Sequence, residues 1–122
     1  MFETLISKLQ EDKYLTLETT PQHEPSMHNI VEKIKKFKID SKVDGFTCTD
    51  NPLAKLKYNS LFAALKLQQE FKKPVIATMT MRDRNKIALQ SDLLGANDFD
   101  IRAILALTGD PANMSDQPNS KG

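Results

Sequence analysis

Four short segments of this sequence pair a hydroxyl with a carboxylate: Glu18-Thr19-Thr20, Thr49-Asp50-Asn51, Thr80 to Asp83, and Thr108-Gly109-Asp110. Each stands where a run with strand character ends, and a parallel sheet delivers such segments to one surface, where enzymes of this architecture build their sites. Glu18 is the sharpest candidate. A carboxyl near the inward-facing end of a barrel strand loses solvation, so its protonated form becomes more populated near neutrality, as a general acid requires. The competing reading is an ordinary exposed glutamate at a strand end. Asp110 follows Gly109, whose missing side chain would let a planar ligand approach the backbone; a Gly-Asp-Pro turn has the same residues. Thr, Asp, Asn and Gly also cap helices and make turns. That reading suffices for any one segment and weakens for four together.

Other chemistry is less well supported. Arg82, Asp83 and Arg84 could bind phosphate or carboxylate through their guanidinium groups, but an ion-paired cluster seating the next helix, with Asp83 as its cap, is favoured. His23 and His28 are five apart, which does not align them on one helical face, and no metal site is expected. Neither GxxxxGK[ST] nor GxGxxG occurs. Met79 and Met81 flank Thr80 and read as core or pocket-wall packing. Lys33 to Lys38, KIKKFK, is interrupted by Ile34 and Phe37 and reads as a solvated helix face.

The elements that must position these residues run in order. Phe2, Leu5, Ile6 and Leu9 predict a short amphipathic helix over 2–12 that packs against one end of the sheet. Tyr14 to Thr20 alternates as a first strand and stops at Pro21. Ser26 is the expected N-cap of a helix with a buried stripe of Met27, Ile30, Val31, Ile34 and Phe37. Val43 to Thr49 forms a second strand, and Leu53 to Phe71 a helix marked by Leu56, Leu61, Phe62, Leu65 and Leu67. From Pro74 to Pro111 the pattern is strand (PVIATMT), helix (Arg84 to Asn97, ended by Gly95 or Asn97-Asp98), strand (Arg102 to Thr108) and loop, a parallel βαβ unit. Residues 111–122 read as an exposed tail. The fold class is α/β: β/α repeats forming the first half of a (β/α)8 TIM barrel, with a small open sheet as the alternative. A whole barrel takes roughly 250 residues, whereas this chain of 122 reads as a single partial domain.

Composition narrows the partners. A net charge of +1 argues against nucleic acid or a membrane surface. The single cysteine, Cys48, excludes an internal disulfide and fits a reduced, cytoplasmic setting. The N-terminus lacks the pattern of a signal peptide.

Three stretches, TDNPLAKLKYNSLFAALKLQQE, TMTMRDRNKIALQSDLLGA and ILALTGDPA, resemble methylenetetrahydrofolate reductase, collinearly from Leu15 to about Pro118. The TGDP and RDRN forms resemble especially a bacterial branch in which the reductase domain is also fused to a homocysteine methyltransferase domain. The resemblance implies a flavoprotein oxidoreductase of one-carbon metabolism and methionine biosynthesis. Such an enzyme uses FAD and either NADH or NADPH to convert 5,10-methylenetetrahydrofolate to 5-methyltetrahydrofolate. It implies Glu18 as general acid, Asp110 beside flavin and folate, and flavin contacts at Thr49, Thr108 and Gly109. Thr78 stands where many members have a histidine. The family's later loops supply further cofactor contacts, so this chain alone is expected to be inactive and to need a C-terminal half or to self-associate. A non-catalytic half-barrel module that dimerises through its open edges is the alternative.

Overall fold

The computed structural model describes residues 2–11, 14–52, 55–81 and 84–107. Four strands, β1 (Thr16–Thr19), β2 (Gly45–Cys48), β3 (Val75–Thr80) and β4 (Ile104–Leu107), form one sheet in the order β1-β2-β3-β4. Every neighbouring pair is parallel. Helices α1 (Phe2–Gln10), α2 (His28–Lys36), α3 (Ser60–Phe71) and α4 (Lys86–Asp98) alternate with the strands, and a 3-10 turn, Ile39–Lys42, precedes β2. Parallel strands laid down in chain order with helical crossovers are the arrangement of half a β/α barrel.

Strand alternation sorts the side chains. Phe46 and Cys48 of β2 and Val75 and Ala77 of β3 lie in one buried cluster. Val31 and Ile34 from α2 with Met27 at its cap, Ala63, Ala64 and Leu67 from α3, Ala96 from α4 and Ile101 after it complete the cluster. One sheet face therefore carries the helix layer. The register puts Glu18, Thr47 and Ile76 side by side on the opposite face, and Thr78 beside Leu105 one level higher. Gly45 belongs to the face of Thr47. A Cβ there would collide with the Tyr14 hydroxyl and the Pro74 carbonyl oxygen, which explains a glycine inside a strand.

Helix α1 packs at the end where the strands begin, burying Leu5 beside Pro74, Val75 and Ala103. Several helix boundaries differ from expectation. Helix α3 starts at Ser60 instead of Leu53, because the Asn59 carboxamide oxygen accepts the N–H groups of Leu61 (2.8 Å) and Phe62 (3.1 Å) and caps it there; Leu56 lies outside the helix and is exposed. Helix α4 is capped by Asn85, whose oxygen accepts from Ala88 N (2.8 Å), and not by Asp83; of its two expected ends, Gly95 and Asn97-Asp98, the structure takes the second, at Asp98. Helix α2 begins one residue past the expected stripe: Met27 is at the cap, while the Ser26 hydroxyl accepts the His28 N–H (2.9 Å). Phe37 is 57% exposed and not part of the buried stripe, since α2 ends before it and its ring sits under the Lys36 ammonium instead.

Candidate functional site at the ends of the strands

Because all four strands run the same way, their C-terminal ends share one rim. Glu18 is the third residue of β1 and pairs in register with Thr47. Thr49 directly follows β2, and its N–H donates to Thr19 O (3.1 Å), carrying the ladder one step past the strand. With Cys48 opposite Ala77, the same register brings Thr49 beside Thr78. Glu18, Thr49 and Thr78 thus lie on three adjacent strands, on the face away from the helices. Thr108, Gly109 and Asp110, like Arg82, Asp83 and the 111–122 tail, lie outside the described residues.

Burial separates these residues. Thr78 is buried, and its carbonyl oxygen accepts the Ser60 hydroxyl (2.9 Å), which pins the start of α3 to β3. The hydroxyl oxygens of Tyr14, Thr19 and Thr49 are buried without a hydrogen-bond partner among the described residues, and of the three it is Thr49 that lies beside Thr78 on the rim face. A hydroxyl withdrawn from water without a partner costs free energy, so such an atom points to a group it would bond. Glu18 is exposed, the second of the two readings its position allowed. The physical reason is that β1 is an edge strand with a described neighbour on one side only, whereas Thr78, on the same face, sits on a strand flanked on both sides.

The dominant electrostatic feature of the rim joins β2, β3 and α4. The Asp50 carboxylate, fully buried, accepts the Thr80 N–H (2.9 Å) and hydroxyl (3.3 Å), and takes two prongs of Arg84. Arg84 also donates to Thr80 O (2.9 Å) and pairs through Nε with Asp92 (3.4 Å). Burial pulls the Arg84 guanidinium down, but the hydrogen bonds and charges of Asp50 and Asp92 outweigh it, and its pKa lies above the ordinary arginine value. Of the two readings of the arginine cluster, the ion-paired one describes Arg84, whose donors are taken up internally rather than held open for a phosphate. Sequence reasoning placed Asp50 in the rim without finding its role. The available signal was topological: an acid just after one parallel strand and a base just after the next are neighbours in space.

Other features are structural. Burial pushes the Cys48 thiol up to about 12, so it stays protonated and is no nucleophile at neutral pH. Met79 is core, while Met81 is partly exposed. Lys35 of the basic run pairs with Glu70 (3.2 Å). No group of three His, Cys, Asp or Glu side chains among the described residues could hold a metal ion, and no described helix is long and apolar enough to cross a membrane. A cavity of about 240 Å³ between α3 and α4 is lined by Leu61, Phe62, Leu65 and Phe99, on the helix side of the sheet and without Glu18, Thr49 or Thr78.

No curated protein and no solved structure matches the chain. The model of one family, methylenetetrahydrofolate reductase, matches residues 3–122. That family comprises TIM-barrel oxidoreductases of folate and one-carbon metabolism and generally uses FAD and NAD(P)H. With parallel strands in chain order, a shared rim and a family match over nearly the whole length, this chain belongs to the methylenetetrahydrofolate reductase family.

Proposed function

We propose that this chain supplies one half of the rim of a reductase that converts 5,10-methylenetetrahydrofolate to 5-methyltetrahydrofolate with NADH or NADPH as electron source. The observation that carries the reading is the unpartnered, buried Thr49 hydroxyl, on the same face as Glu18 and Thr78 in a chain of this family. These residues fit FAD as a bound group: hydroxyls at Thr49 and Thr78 offer hydrogen bonds to a flavin's polar edge, with Thr108, Gly109 and Asp110 as further contacts. When bound, FAD carries the hydride between nicotinamide and folate.

The chain's own contribution is proton transfer and orientation. Glu18, protonated, would donate to the folate nitrogen that leaves as the five-membered ring opens; the C–N bond electrons go to that nitrogen, and the one-carbon methylene left as an iminium on N5 is electrophilic enough to accept hydride. In the present structure Glu18 faces solvent. Further βα units laid against β4 would cover its face, desolvate the carboxyl and favour the protonated form. Asp110 would orient the folate beside the cofactor. A homocysteine methyltransferase domain, fused or separate, would consume the product.

The exposed side chains of β4 support completion by further strands: Leu105 is 50% and Leu107 46% exposed on a strand of four apolar residues. Residues 1–122 alone are therefore expected to be inactive and to bind FAD weakly or not at all. The same exposed strand would serve a half-barrel that dimerises, and size-exclusion chromatography with and without a C-terminal half separates the two. The function itself is tested by methylenetetrahydrofolate-dependent NAD(P)H oxidation in the completed barrel. Turnover supports the reading, and its absence in a folded, FAD-loaded barrel rejects it. Saturable FAD binding with turnover by residues 1–122 alone would reject the half-site division.

A further inference from the structure

Asp50 stands next to Thr49 and is the most heavily bonded side chain of the rim. Its two oxygens meet the Thr80 N–H and hydroxyl, both Nη groups of Arg84, and the Asn51 side-chain amide (3.2 Å). One carboxylate is thus shared among the turn after β2, the last residue of β3 and the segment that starts α4. Asn51 immediately turns the chain with a left-handed backbone (φ 44°), and its side-chain oxygen accepts the Lys57 N–H (2.7 Å). Thr49 is consequently held from both sides, by its N–H on Thr19 O and by Asp50 on β3. Between these anchors its hydroxyl is buried and unpartnered among the described residues.

We propose that Asp50, with Arg84 as its counter-charge, is a positioning residue that presents the Thr49 hydroxyl to the ligand of the rim. The inference rests on the reading that this ligand is a flavin. A hydroxyl on a free turn would satisfy itself with water or backbone, whereas one clamped by a charged, two-pronged network stays oriented before the ligand arrives. An ionised carboxylate suits this task. An isosteric amide keeps the Thr80 N–H bond but replaces one prong of the Arg84 fork with a donor, leaving that guanidinium under-compensated.

The test is a double-mutant cycle in the completed barrel, residues 1–122 together with a C-terminal half, reading FAD affinity by quenching of flavin fluorescence and amide exchange at residues 49–51 without FAD. Thr49→Val and Asp50→Asn each weaken FAD binding on the order of tenfold, the scale of one hydrogen bond lost at a ligand. The double variant is no weaker than the worse single one, because both act through one hydroxyl. Asp50→Asn also speeds exchange at residues 49–51 while leaving the midpoint of β1–β2 exchange in place. Arg84→Lys keeps the buried charge but not the fork, so it remains folded should Asp50→Asn not fold, and it weakens FAD binding by about threefold. Unchanged FAD affinity in Asp50→Asn or Arg84→Lys, or additive losses in the cycle, overturns the positioning role while the reductase reading stands. A Thr49→Val protein that binds FAD as well as the parent overturns the flavin reading at Thr49 and this inference with it.

Discussion

Along β3 every residue but Ile76 is buried, whereas along β4 three of four are exposed. Both strands are apolar and both pair in parallel, so local sequence does not explain the contrast. Strand β3 has a neighbour on each side, a helix layer formed by α3, and a polar network closing its C-terminal end. Strand β4 has a described neighbour on one side only. The core of this half barrel is finished in its middle and waits for cover at its flank. Site chemistry follows the same division: Thr78 and the hydroxyl oxygen of half-buried Thr49 are already withdrawn from water, while Glu18, at the other edge strand, is not.

Perturbations should therefore be severe in the centre and mild at the flank. Phe46→Ala, at a fully buried ring packed 5.4 Å from Phe71, should cost about 3–5 kcal/mol in urea unfolding. Asp50→Ala should cost about 3 kcal/mol, because it strands Arg84, whose side chain is only 12% exposed. Gly45→Ala should cost about 1–3 kcal/mol by forcing a Cβ against Tyr14 and the Pro74 carbonyl.

Alkaline titration probes the same centre through Cys48. Its pKa is raised on folding, so the unfolded chain loses the thiol proton first. The stability it contributes is complete below about pH 9 and declines as pH rises towards about 12. Between about pH 8 and about pH 10 the loss amounts to roughly 1 kcal/mol, and Cys48→Ala should flatten that part of the profile. At the flank, Leu105→Ala should move the unfolding midpoint of this chain by no more than about 1 kcal/mol. A large effect there, or a small one at Phe46, would invert the comparison.

The parallel topology was legible in the sequence because each strand is a short apolar or alternating run with turn residues at its end, PVIATMT most clearly. Helix starts were less legible. Leu53 to Phe71 has apolar residues throughout, but Asn59 can cap where Leu53 cannot, and the cap decides. Phe37 continues the spacing of α2, yet the helix ends before it and periodicity carries no information about where backbone hydrogen bonding stops. Thr49 and Thr78 entered as sites through the family resemblance, and placing them on one face needs the β2–β3 register as well as strand alternation. Nor does the sequence of β1 decide whether Glu18 is exposed, since burial depends on what lies around the strand and not on the strand itself. The Asp50–Arg84 pair spans 34 residues and becomes visible only once β2 and β3 are known to be neighbours.

Glu18 is the proposed proton donor of the rim, and the isosteric Glu18→Gln variant of the completed barrel tests that role. Reduction of bound flavin by NAD(P)H should be unchanged, while the rate of methylenetetrahydrofolate reduction by the reduced enzyme should fall by about 10²–10⁴-fold, the range of a lost general acid. A Glu18→Gln enzyme that reduces the folate at the parental rate would contradict it.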